Sequence, residues 1–281
     1  MMNNNFAKER IVIERLVLVY ILFFLLFRYF TNATPSHILQ PPLYLIQFDP
    51  LYWLFKFSFL SLINSNQLAA DIFDAILFAS CALAILFPLK RLFVIFFSLF
   101  LLIYAVIYNI SIVHHAHPLS LTIIVTLPFW VRRSTDWKLM WEGMRYYVCF
   151  IYTASFIWKS VLGNSFFVWN NGVTSTKLNL AEYIYHNPYS FSAGIMKYFI
   201  AHPALLNTGH VLVILFEGCM VIGFFTKKYD KLLILLPVII HLATYFFSDV
   251  FFIEILVGLF TFLNARQINW LSTKLPILAR T

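Results

Sequence analysis

Three residues of types that can move a proton stand in separate apolar runs: Lys159 in FIYTASFIWKSVL, Glu217 in LVILFEGCMVIG and His241 in LLPVIIHLAT. An ionisable side chain inside a membrane-spanning helix is costly, and each one is a functional hypothesis by default. A lysine in an apolar pocket loses hydration, which favours the neutral amine, a general base or nucleophile. Tyr152 and Ser155 precede Lys159 on the same helical face, so either could orient the amine through a hydrogen bond. His210 and Glu217 also share one face. In this reading Lys159 is the base, and Glu217 and His241 orient groups or relay protons.

The other polar groups gather toward the outer leaflet. Arg28 closes the outer end of the first span. His114, His115, His117 and Pro118 form an outer turn, with His115 and His117 as candidate substrate contacts. Asp249 and Glu254 begin the last span. Plainer readings compete. Arg28 could snorkel to the headgroups, the histidines could be a solvated turn, and Lys159 and Glu217 could be a structural ion pair. Asp249 and Glu254 could cap a helix. A His-x-His without further ligands is weak evidence for metal, so no metal site is predicted. Cys81, Cys149 and Cys219 lie in apolar runs without a C-x-x-C, as packing residues do.

These residues need a membrane to hold them. Of the 281 residues, 61% are hydrophobic and 11% charged, against about a quarter charged in a soluble domain. A bilayer core about 30 Å thick needs roughly 20 apolar residues per helix. The sequence predicts an all-α, polytopic transmembrane helix bundle of about eight spans with both termini cytoplasmic. The spans are about Ile11 to Phe30, Leu68 to Leu89, Leu92 to Val113, Leu119 to Val131, Met144 to Leu162 and Leu205 to Phe225, with two more sharing Leu232 to Leu263 around a break near Ser248-Asp249. Leu51 to Leu62 is expected in the interface, and an amphipathic helix near Leu178 to His186 in the connection that runs to Ala204. Six spans is the alternative, with 119–131 re-entrant and 232–263 one bent helix. Without an internal repeat, one domain over 1–281 is the simplest organisation, its core about 11–264 and a short cytoplasmic tail 265–281. The basic, apolar N-terminus imitates a signal peptide but lacks a clear cleavage site, and reads as a retained span.

Charge supports this topology. The net charge is +8. With the N-terminus inside, all but Arg28, Lys56, Lys159, Lys177 and Lys197 of the 20 basic residues fall in cytoplasmic segments. The charge is therefore loop charge, and nucleic acid is not an expected partner. The expected location is a cell inner membrane, multi-pass.

The stretch from Phe150 to Gly172 resembles the vitamin K-dependent γ-carboxylase and its bacterial relatives, the HTTM (horizontally transferred transmembrane) family. The shared pattern is Tyr152, Ser155, Lys159 and then Trp169-x-x-Gly172. Glu217, the basic Lys227-Lys228 turn and His241 resemble the family's later motifs, and VHHAHPLSLTIIVTLPFW its polar turn before a short helix. The resemblance covers about Arg15 to Leu263 and is nearest to small bacterial members of the sporulation-delaying-protein B type, which serve maturation of a secreted peptide toxin. It implies a lysine base at Lys159 acting on a quinol, and carboxylase-like lyase chemistry. It adds Tyr152, Trp169 and Gly172 to Arg28, His115, His117 and His210 as candidate substrate-binding residues. Two departures stand out: Ser155-Phe156 replaces a small-Gly pair, and no large extracytoplasmic domain follows Thr281. Glutamate carboxylation is therefore not carried over.

Three functions follow as expectations. The first is a membrane enzyme acting in the outer leaflet on a secreted peptide or with a lipid-soluble quinol. The second is a non-catalytic partner or immunity component in peptide toxin maturation or export. The third, a transporter, lacks the inverted repeats such folds often show. Expected partners are membrane lipids, a secreted peptide and its maturation partners.

Overall fold

The computed structural model describes residues 4–39, 53, 59–111, 117–162, 171–248 and 252–279. Among them every regular element is helical, and no strand occurs. Three elements are long and apolar enough to cross a membrane: Gln67–Leu86, Arg91–Ser111 and Pro203–Phe224. Three more are apolar but shorter: Leu119–Trp130, Phe191–Ala201 and Ile253–Phe262. The chain divides into two compact units, residues 1–144 with 263–281, and residues 145–262.

The first unit begins with α1, Asn4–Phe30. A short helix α2, Leu60–Ser65, leads into α3, Gln67–Leu86, whose first turn is capped by Asn66 accepting the Ala69 N–H at 3.1 Å. A tight turn then enters α4, Arg91–Ser111. The buried face of α3 carries Ala70, Phe73, Leu77, Cys81 and Ala84, at helical spacing. Its other side exposes Leu68, Ile72, Leu83 and Leu86. Large apolar side chains facing outward while polar ones are buried is the pattern of a helix that meets lipid. Asp74, on the buried face, accepts the Ser36 N–H at 3.1 Å, and Tyr104 on α4 donates to the Ala33 carbonyl at 2.9 Å. The polar segment after α1 is thereby tied to both helices.

The span expected at Leu119 to Val131 is a helix α5, His117–Ile124, followed by a 3-10 turn at Leu127–Trp130. Residues 265–279 of the expected tail carry helical structure. Helix α11, Ala265–Lys274, opens with a reciprocal capping box between Asn264 and Gln267, and a 3-10 turn at Pro276–Ala279 follows. Arg15 holds that turn to α1 by donating to the carbonyls of Ile277 at 3.0 Å and Leu278 at 3.3 Å.

The second unit takes the C-terminal part of α6, Ser134–Ile157, which continues through a wider π-type turn at Trp158–Leu162. The connection read as holding one amphipathic helix holds two among its described residues. They are α7, Asn171–His186, and α8, Phe191–Ala201, the second started by Ser190 accepting the Ala193 N–H at 3.1 Å. Next come α9, Pro203–Cys219, a 3-10 turn at Met220–Phe224, and α10, Asp230–Ser248. α10 is described to Ser248, and a 3-10 stretch, Ile253–Phe262, packs against it; residues 249–251, at the expected break, lie outside the described residues.

Arg145 organises this unit. It is 2% exposed. Its guanidinium donates to the Gly223 carbonyl at 2.8 Å, to the Thr226 carbonyl at 3.1 Å and to Asp230 Oδ1 at 2.6 Å. It thus satisfies carbonyls left open after α9 and reaches the first residue of α10. The sequence reading assigned Arg145 to loop charge; the structure makes it a clasp. Arg145→Leu should destabilise the folded chain by about 3 kcal/mol, because Asp230 and two carbonyls lose their partner. A fall in the thermal unfolding midpoint of detergent-purified protein, larger than that of Lys138→Leu, checks this.

Candidate functional site

The candidate proton-handling residues all belong to the second unit. α6 carries Tyr152 and Ser155, the π-type turn carries Lys159, α9 carries His210 and Glu217, and α10 carries His241. Lys159 Nζ lies 2.6 Å from Glu217 Oε1, and Ser155 Oγ donates to Glu217 Oε2 at 3.2 Å. Both oxygens of the carboxylate are therefore engaged from the α6 side. The Glu217 side chain is 6% exposed and that of Lys159 is 35%. The carboxylate is the buried end of the pair and the amine the open end.

A second pair stands beside the first. Tyr152 Oη and His241 Nε2 are 2.8 Å apart, both side chains buried. His241 Nδ1 is buried and makes no hydrogen bond among the described residues. Its ring meets Phe252 edge-on, with centroids 5.9 Å apart. One turn before His241, Pro237 removes a backbone donor within α10. Tyr152 lies within electrostatic reach of Glu217, and both His241 and His210 within that of Lys159. The four central side chains can hold protons at a phenol, an imidazole, a carboxylate and an amine.

The partners differ from those the face pattern suggests. Tyr152 and Ser155 share a face with Lys159 in the sequence, but their hydroxyls go to His241 and Glu217. The physical reason is what stands opposite that face: Ser155 and Lys159 both meet the Glu217 carboxylate on α9, while Tyr152 meets His241 on α10. Close packing then fixes the depth. A Cβ on Gly218 would meet the Phe156 ring at 2.9 Å, so only a glycine lets α9 approach α6 there.

Gly172 has a packing role. A Cβ there would lie 2.9 Å from both the Leu206 carbonyl oxygen and Asn207 Oδ1. Asn207, which the sequence reading passed over, accepts the Val173 N–H at 3.1 Å and so serves the first turn of α7 from α9. Its signal was available: Asn207, His210 and Glu217 recur at helical spacing on one face.

The remaining candidates are not among the described residues of the second unit. Arg28 is in the first unit, where its guanidinium donates to Tyr108 Oη and stacks over the Tyr108 ring at 4.6 Å. His117 opens α5. Trp169, His114, His115 and Asp249 lie outside the described residues. Among the described residues, no group of three metal-ligating side chains occurs.

Comparison with protein-family models, with curated proteins and with solved structures found no match to this chain.

Two outcomes follow from the geometry. Glu217→Leu alone leaves Lys159 and Ser155 without their acceptor and should lower folded protein by about 2 kcal/mol, while Lys159→Met with Glu217→Leu should recover most of it. Unfolding midpoints of the purified variants measure both. Gly172→Val should cost about 1–3 kcal/mol through overpacking against the α9 backbone, read in the same assay.

Proposed function

We propose that this chain is an integral membrane enzyme of the vitamin K-dependent carboxylase-like, HTTM kind, acting in the outer leaflet with Lys159 as its base. The reading includes eight spans, cytoplasmic termini and a multi-pass place in a cell inner membrane. The basic residues at one set of helix ends and the apolar outward surface of the long helices support it.

The observation that carries the catalytic reading is the asymmetry of the ion pair. A structural pair has no need to leave its amine a third exposed while its carboxylate is enclosed. Glu217 takes a proton from Lys159, leaving a neutral amine on the open side. That amine takes a proton from substrate, and the pair as a whole then carries one more proton. Ser155 holds the second carboxylate oxygen in place, which makes it a positioning residue. His241, with Tyr152 on one ring nitrogen and no hydrogen bond on the other among the described residues, can pass a proton on.

The substrate is a secreted peptide or a lipid-soluble quinol. An acidic hydroxyl suits an open amine backed by a carboxylate, so the residues fit a quinol; Lys159 would hold its proton. A bound quinol would supply that hydroxyl and redox chemistry that no side chain here provides.

A non-catalytic role in peptide toxin maturation or export is the second reading, and it rests on the same buried network acting only as a tie. The two separate in cells that carry the chain. Secreted peptides are compared by mass spectrometry between wild type, Lys159→Ala and Lys159→Arg, at matched membrane abundance. The catalytic reading expects a modified peptide to fall by about 100-fold or more in both variants, the range of a lost general base. An unchanged peptide profile in Lys159→Ala at normal abundance would rule out the lysine base.

A further inference from the structure

A cavity of about 450 Å³ opens in the first unit beside the turn between α3 and α4. Its size falls within the range of small-ligand pockets, roughly 300–1,000 Å³. Arg10, Lys90, Arg91 and Arg132 line it, together with apolar residues that include Leu92 and Phe93. Four cations at one cavity repel each other unless an anion joins them. Glu14 offsets one: its Oε2 lies 4.0 Å from Arg10 Nε.

The site is built rather than a chance cluster of loop charge. Arg10 is 3% exposed. Its Nη2 donates to the Phe129 carbonyl at 2.8 Å, yet its buried Nε has no hydrogen bond among the described residues. The turn itself is held in an unusual form. Leu89 has φ of 67°, a left-handed conformation that costs a non-glycine residue about 1–2 kcal/mol. Glu14 secures it by accepting the Leu89 N–H at 3.3 and 3.4 Å. Lys90 and Arg91 follow directly, and Arg91 is the first residue of α4, where helix N–H groups also favour an anion.

Depth selects the anion. α3 ends at Leu86 and α4 starts at Arg91, and both are long and apolar enough to cross a bilayer. The turn between two such helices lies where hydrocarbon gives way to water. Leu92, 72% exposed, and Phe93 give the cationic wall an apolar neighbour. A ligand with a phosphate and an attached acyl portion matches both surfaces. We propose that this cavity binds the phosphate of an anionic phospholipid, with Arg10, Lys90, Arg91 and Arg132 as its cationic wall.

The test uses the full chain purified in detergent, with lipid retention measured by native mass spectrometry. Phosphatidylglycerol and phosphatidylcholine of the same acyl chains are compared, on wild type, on K90Q/R132Q and on K227Q/K228Q, a basic pair outside the cavity. Phosphatidylglycerol should be retained about tenfold or more over phosphatidylcholine, and K90Q/R132Q should remove most of that preference while K227Q/K228Q keeps it. Equal retention of the two lipids, a preference that survives K90Q/R132Q, or an equal loss in K227Q/K228Q overturns the proposal. Inorganic phosphate forms the other arm. If it binds with the same sensitivity to K90Q/R132Q while the lipids show no preference, the ligand is free phosphate and the lipid assignment fails. Should K90Q/R132Q not elute as folded protein, R91Q is read in its place against the same outcomes.

Discussion

Glu217 must be satisfied from within the protein, because α9 carries its carboxylate into surroundings that hold almost no water. An unpaired charge there would cost several kcal/mol. Much of the second unit's packing serves that requirement. Lys159 and Ser155 take one oxygen each, so the end of α6 must lie against α9. Gly218 permits the approach by leaving room for the Phe156 ring, and Gly223 does the same for Cys149. Arg145 then fixes where α9 stops and α10 begins, which sets His241 beside Tyr152. The chemistry proposed for Lys159 depends on this order: the buried acid comes first, and the amine is what it leaves facing outward.

The first unit obeys the same rule with different partners. Arg15 is anchored by three backbone carbonyls, two of them in the C-terminal turn, so the two ends of the chain are joined through one guanidinium. Asp74 and Tyr104 do this for the segment that follows α1. Arg10 departs from the pattern. It is buried, it donates to the Phe129 carbonyl, its Nε makes no hydrogen bond among the described residues, and it borders a cavity.

Apolar runs and their spacing were legible in the sequence. They located α3, α4, α9 with its 3-10 end, and α10 to within a few residues, and the C-terminal end of α1, whose start lies seven residues before the expected Ile11, because a helix in apolar surroundings must satisfy its own backbone and so needs an unbroken run. The same logic singled out Lys159, Glu217 and His241, and the pairing of Lys159 with Glu217 was among the readings the residue types allowed. Helical periodicity put Ser155 on the face of Lys159 as a partner for the amine, and its hydroxyl goes to Glu217 instead. The shorter elements were less legible. α8 and α11 depend on caps at Ser190 and Asn264, signals of one or two residues that are easily lost among loop composition.

What only the tertiary structure decided is which side chain meets which. Periodicity describes the faces of one helix and carries no information about the neighbour across it. It set Tyr152 beside Lys159, but the position of α10 gave Tyr152 to His241 instead. The charge distribution placed Arg145 among loop charges, but the packing around Gly223 and Asp230 made it a buried clasp. Gly172 looked like a substrate contact within a motif and is held against Asn207, a residue with no motif around it. The sequence by itself determined that these polar groups lie in an apolar body, since that follows from composition along the chain. Their partners, and hence the open amine of Lys159 and the cation-lined cavity at Arg10, follow from contacts between residues far apart in sequence.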